Sequence, residues 1–116
     1  MIVDKLIKAL QSFCNGEVFE QGTLAASEDY PESFITYSFE SDSCDYLDNV
    51  EINAHWFGAV VLYSSDYSKI ETLPPEIRKA LRAAGFIVKG KGAPIPSPRP
   101  SHDGWALDYE LIEMEA

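Results

Sequence analysis

Residues 84–104 of this chain, AGFIVKGKGAPIPSPRPSHDG, restrict the fold more than any other stretch. Pro94, Pro96, Pro98 and Pro100 stand at alternate positions after Gly90 and Gly92. Proline has no backbone N–H to donate, so such a run excludes both a helix interior and a central strand. The stretch therefore predicts a long irregular loop over residues 89–103, entered from a short apolar strand at 86–88 and left at Gly104. Gly85 closes the helix that precedes that strand. Beyond Gly104, residues 105–113 set Trp105, Leu107, Tyr109 and Leu111 against Asp108 and Glu110, the alternation of a strand with one face in a core.

The remaining pattern is a mixture of helix and strand. Ile2, Leu6, Ala9, Leu10 and Phe13 recur at helical spacing, and Asn15-Gly16 stops that helix, predicted over residues 2–13. Pro31 leads into an aromatic and β-branched strand over residues 33–40, and residues 41–49 read as an acidic turn region. Residues 50–63 form a long strand. It begins by alternating Val50, Ile52, Ala54 and Trp56 with Glu51, Asn53 and His55, then turns apolar on both faces at Phe57, Val60, Val61 and Leu62. Its second half is thus expected to be covered on both sides, by a helix on one and by another helix or subunit on the other. Gly58 inside it marks a bulge or a close backbone approach. Ser68 and Glu71 have capping-box spacing, and Pro74-Pro75 predicts a broken helix ending near Ala84. Together these give one domain over residues 1–116: an α+β fold, a mostly antiparallel four-stranded sheet with two helices packed on one face.

Composition narrows the function classes. No apolar run approaches the ~18 residues of a membrane span, and residues 1–5 open no signal-peptide pattern, so the default expectation is a cytosolic protein. Cys14 and Cys44 could pair, but two cysteines in a core-forming chain read more often as buried thiols. The formal charge is −10, and between Lys8 and Lys69 eleven acidic residues occur without one Lys or Arg. Such a surface repels nucleic acid, whose binding depends on cations neutralising phosphates. It suits a solvated face, a basic protein partner, or a wall along which DNA slides without sticking.

Catalytic chemistry finds little footing. Ser101-His102-Asp103 holds the residue types of a hydrolytic triad, yet neighbours in an extended loop point apart. His55 reads as a hydrogen-bonded histidine at the core edge. The two histidines have no cysteine pair beside them to suggest zinc. Asp42, Asp45 and Asp48 lack the spacing of a calcium loop, and Gly90-Lys91-Gly92 lacks the frame of a phosphate loop. The expectation is a non-enzyme with no cofactor or metal. The loop over residues 89–103 instead concentrates Lys89, Lys91, Arg99 and His102 in an acidic chain. It is either a solvated connector or a proline-stiffened arm that docks on the acidic stretch 40–51 of a neighbouring copy. Such a heterologous contact closes into a ring.

Two blocks carry a family resemblance. Ala83-Ala84-Gly85-Phe86, Gly90-Lys91-Gly92 and the exit Pro100, His102, Gly104 form one, and Tyr30-Pro31-Glu32-Ser33-Phe34 the other. Both resemble the tail-terminator or tail-completion proteins of long-tailed bacteriophages. Pro74-Pro75 departs from that family's longer unbroken helix, and Ser43-Cys44-Asp45 from its glycine-rich hairpin tip. The resemblance implies a structural protein of the virion tail or neck, assembled in the host cytoplasm. It would cap the tail tube as a homohexameric ring, end polymerisation and join the head connector. It would bind tail-tube and connector proteins, and neither specific nucleic acid nor membrane. Trp56, Phe57, Lys89, Lys91, Pro96, Arg99 and His102 are the expected subunit-contact residues, with Tyr30 and Pro31 shaping the fold. The alternative is a small acidic inhibitor that mimics DNA.

Overall fold

The strand that changes from one-sided to two-sided apolar character is the axis of the molecule. A computed structural model describes residues 2–14, 16–21, 32–47, 50–96 and 101–114, with side chains described except at residues 2, 41–47, 50–54, 113 and 114. In chain order the elements are α1 (Ile2–Leu10), β1 (Val18–Glu20), β2 (Ser33–Tyr37), β3 (Glu40–Leu47), β4 (Val50–Ser64), α2 (Tyr67–Ala83), β5 (Ile87–Val88), β6 (Ala93–Ile95) and β7 (Asp103–Met114). β4 and β7 pair antiparallel without interruption from Asn53↔Met114 to Ser64↔Asp103. The sheet order is β1-β2-β4-β7-β5, with β3 also on β4 and β6 also on β7. β1 and β2 are parallel, and every other pair is antiparallel.

The fold is α+β, but among the described residues the sheet is mixed and has seven strands rather than four. Three local causes account for the difference. First, the strand expected over residues 33–40 breaks at Ser38-Phe39 and resumes as β3, through residues expected to be an acidic turn. The sequence ESDSCDYL has weak β propensity, but a hairpin partner with β4's length supplies the ladder bonds and overrides it. Second, the proline loop contains β6, in which Pro94 pairs with Trp105 at the sheet's edge. An edge strand needs only one row of N–H groups, so proline is tolerated there. Third, Val18-Phe19-Glu20 adds in parallel to the outer edge of β2.

Helix boundaries also shift. α1 stops at Leu10 and residues 11–14 form a turn closed by Gly16 at φ +82°. α2 runs unbroken through Pro74 and Pro75, contrary to the expected break. Buried Pro74 shares the inward face with Ile70 and Ile77, so core packing offsets the ladder bonds that the two prolines remove. Its N-cap is Asp66, whose Oδ1 accepts the Ser68 N–H at 3.0 Å, in place of the expected Ser68–Glu71 box.

Both helices pack on one face of the sheet. Leu6, Leu10, Ile70, Ile77 and Leu81 meet Ile35, Val60, Leu62, Leu107, Tyr109 and Leu111 in a single buried cluster. Each such side chain contributes about 1.5–3 kcal/mol on burial. Cys14 lies in this core as a free thiol, and burial pushes its pKa up.

Gly58 occupies a crossing point in that core. Tyr109 lies opposite it on β7, and the Tyr109 hydroxyl donates to the Ser38 carbonyl at 2.7 Å across β4. A Cβ on Gly58 would stand 2.0 Å from that carbonyl oxygen, so only glycine lets the β2–β3 break close over β4. Burial, with a smaller contribution from Tyr37, pushes the Tyr109 hydroxyl pKa up to about 12.

Candidate functional site

Strand alternation places His55, Phe57, Ala59, Val61 and Tyr63 of β4 on the sheet face opposite the helices, beside Ala106, Asp108, Glu110 and Ile112 of β7. The two ends of this face differ. Toward the β2 end, Phe34 is buried under stacked Tyr63, with the ring of His102 at 5.7 Å and that of Phe19 at 6.4 Å. Toward the hairpin end, no described element lies over the face. It is an open groove of about 540 Å³, floored by Phe57, Ala59 and Ile87. Ile87 is 44% exposed, and Ile112, cross-strand from His55, is 53% exposed.

Polar groups surround that apolar floor. The Glu110 carboxylate stands 3.7 Å from His55 Nε2 and 3.9 Å from Lys89 Nζ, with Glu40 and Asp108 also lining the groove. A separation of 3.7 Å is an electrostatic contact and not a hydrogen bond. His55 Nε2 is shielded from solvent and makes no hydrogen bond to a described residue. The His55 ring tilts against Phe57 with centroids 5.7 Å apart. An apolar strip with a mixed-charge margin and an unsatisfied imidazole nitrogen is chemically suited to a protein surface laid over it.

The expected contact residues fall in several places. Phe57 and Lys89 meet in this groove. Trp56 is on the helix side, half-buried against the core with its ring 6.1 Å from Phe39. Lys91 lies beside a separate concavity next to Trp105, whose indole N–H donates to the Lys91 carbonyl at 2.9 Å. Pro96 is exposed just after β6, whereas His102 is buried, its Nδ1 2.9 Å from Ser101 Oγ. Arg99, Tyr30 and Pro31 lie outside the described residues, as do the side chains of Cys44, Asp42 and Asp45 and the whole of Asp48.

Sequence reading missed Ile87 and Ala59 as members of the groove and Ile112 as an exposed apolar residue of the same face. Ile112 carried a usable signal, because it is apolar at an outward position of the strand's alternation. Among the described residues no group of three or more His, Cys, Asp or Glu is placed to hold a metal ion. No described helix is long and apolar enough to cross a membrane. No protein-family model matches the chain, and no curated protein matches it.

Proposed function

We propose that this chain is a structural subunit of the phage tail-terminator kind. It closes head to tail into a hexameric ring, caps the tail tube, and offers a joining surface to the head connector. The observation that carries the reading is the groove face, where exposed Ile87 and Ile112 stand with Phe57 on a sheet surface that no described element covers. A second chain laid there removes apolar area from water at about 25 cal/mol per Å². Glu40, Asp108, Glu110 and Lys89 around it would fix register more than affinity. Contact between this groove and a different surface of the neighbour is heterologous, and such contacts close into a ring when the rotation between copies divides the full circle. The net charge of −10 suits a ring through which DNA passes without the counterion release that would hold it. The role requires no cofactor and no bond-making residue.

The test is mass in solution by light scattering, over a range of concentration and salt, with Ile87→Glu measured alongside and tube length scored in a tail-tube assembly mixture. A hexamer of 12.9 kDa chains that Ile87→Glu reduces to monomers is the expected result. A wild-type chain that stays monomeric throughout and leaves tube length unchanged refutes the reading. Displacement of DNA from a basic nuclease by that monomer would favour the acidic mimic instead.

A further inference from the structure

A second concavity, of about 550 Å³, lies between the first half of α2 and the Gly90-Lys91-Gly92 turn. Tyr67, Pro74, Pro75 and Trp105 give it aromatic and proline walls, and Arg78 and Lys91 give it cations. Its shape depends on the turn being pressed onto β7. Gly92 has φ +81°, and a Cβ there would stand 2.2 Å from the Ala106 carbonyl oxygen, while the Trp105 indole N–H ties down the Lys91 carbonyl. The Gly90-Lys91-Gly92 turn thus serves to hold Lys91 at the mouth of this pocket.

Arg78 Nε is shielded from solvent and makes no hydrogen bond, and neither Arg78 nor Lys91 forms an ion pair with a described residue. A guanidinium whose N–H is sheltered beside aromatic surface is a receptor for a carboxylate. Glu71 is the one carboxylate among the described lining residues.

The chain itself contains the complementary segment. Six of its nine Lys and Arg fall within residues 78–99, whereas residues 40–51 hold Glu40, Asp42, Asp45, Asp48 and Glu51 and no cation. β3 and β4 carry that acidic segment to the end of a hairpin, where Leu47 pairs with Val50. Trp105 pairs with Leu62, at the other end of β4. Twelve residues of strand separate the two ends, about 40 Å at ~3.3 Å per residue, so a hairpin cannot enter its own pocket.

We propose that the pocket between α2 and the Gly90-Lys91-Gly92 turn receives the acidic hairpin, residues 40–51, of a second copy of this chain. Arg78 and Lys91 pair with its carboxylates, and Tyr67 and Trp105 cover the residues between them. The inference rests on the head-to-tail reading above and adds a contact distinct from the groove.

The experiment separates the two ideas. A fluorophore-labelled peptide ESDSCDYLDNVE carrying Cys44→Ser is titrated by anisotropy, at low salt, into the full chain held monomeric by Ile87→Glu. Saturable binding is expected, weakened about tenfold or more by Arg78→Glu and by Lys91→Glu, and weakened by added salt. Lys79→Glu, which removes an exposed cation of α2 outside the pocket, should change binding less than about twofold. Absence of saturable binding overturns the inference, as does equal weakening by Lys79→Glu and Lys91→Glu. A hexamer forming while the peptide fails to bind would sink this contact alone; peptide binding by a chain that never assembles would sink the ring.

Discussion

Replacing Gly58 with alanine should be among the most damaging single-methyl changes available to this protein. The new Cβ would stand 2.0 Å from the Ser38 oxygen, 2.8 Å from the Ser38 carbonyl carbon and 2.9 Å from the Tyr109 hydroxyl. Normal contact needs about 3.5 Å, so the Ser38 carbonyl must retreat by more than 1 Å. That retreat breaks three bonds made at the crossing. They are Tyr109 Oη to Ser38 O at 2.7 Å, Ser38 N to Ala59 O at 2.9 Å and Ala59 N to Ser38 Oγ at 3.2 Å. Each is worth about 0.5–1.5 kcal/mol net, and a buried hydroxyl left without a partner costs about 1–3 kcal/mol. The reduced freedom of the unfolded chain returns only about 0.4–1 kcal/mol. The net expectation is a loss of about 2–5 kcal/mol, a large part of the ~5–15 kcal/mol that folded domains possess. Urea unfolding followed by tryptophan fluorescence and far-ultraviolet circular dichroism measures it, together with Tyr109→Phe and the double variant. The two substitutions should be strongly sub-additive because they remove the same bond. A Gly58→Ala chain within about 0.5 kcal/mol of wild type, or fully additive losses, would refute the crossing-point argument.

Other expectations follow from the same structure. Gly92→Ala should destabilise clearly more than Gly90→Ala, since both have positive φ but only Gly92 lies against the Ala106 carbonyl, and paired thermal melts decide it. Hydrogen bonds from Ser68 hold the Asp66 carboxyl below its ordinary 3.8, so its contribution to α2 is present above pH 3.8 and is lost as pH falls through the lowered folded value. Wild type should therefore melt higher than Asp66→Ala at neutral pH, and the gap should close in acid. Tyr109, with its pKa pushed up to about 12, stabilises the fold below pH 10 and loses that contribution as pH rises toward 12. Ultraviolet titration should find one tyrosine ionising after the others, absent in Tyr109→Phe. Cys14 should resist a thiol-labelling reagent in the native chain and react on unfolding, and rapid native labelling of Cys14 would contradict its burial.

What could be read from the residues depended on whether local pattern or distant pairing decided the structure. The alternation of Trp105, Leu107, Tyr109 and Leu111, and the switch of β4 to two-sided apolar character, followed from single-strand periodicity and emerge as the central pair. Gly58 was legible as a bulge or a close backbone approach, and only the Ser38 and Tyr109 contacts of the folded chain choose the second. β3 was not, because an acidic octapeptide becomes a strand only when β4 extends far enough to pair with it. β6 was hidden by its proline, whose exclusion from strands lapses at an edge. The uninterrupted α2 depended on burial of Pro74, which no local rule reports. The groove was half legible. Phe57 and Lys89 stood out individually, but their neighbours Ile87 and Ile112 reach them only through the β5–β7 and β4–β7 registers.

The position of β7 in the sheet also bears on synthesis. β4 carries β2 and β3 along one edge, and its other edge is completed by residues 103–114, which follow the other described elements in chain order. Until those residues leave the ribosome, the nascent chain holds a long apolar strand with an unpaired edge, and Tyr109 cannot yet tie Ser38 across Gly58. Contacts so distant in sequence form slowly, and open edges invite pairing with other nascent chains. Products truncated before residue 103 should accumulate as aggregates and not as partly folded soluble chains.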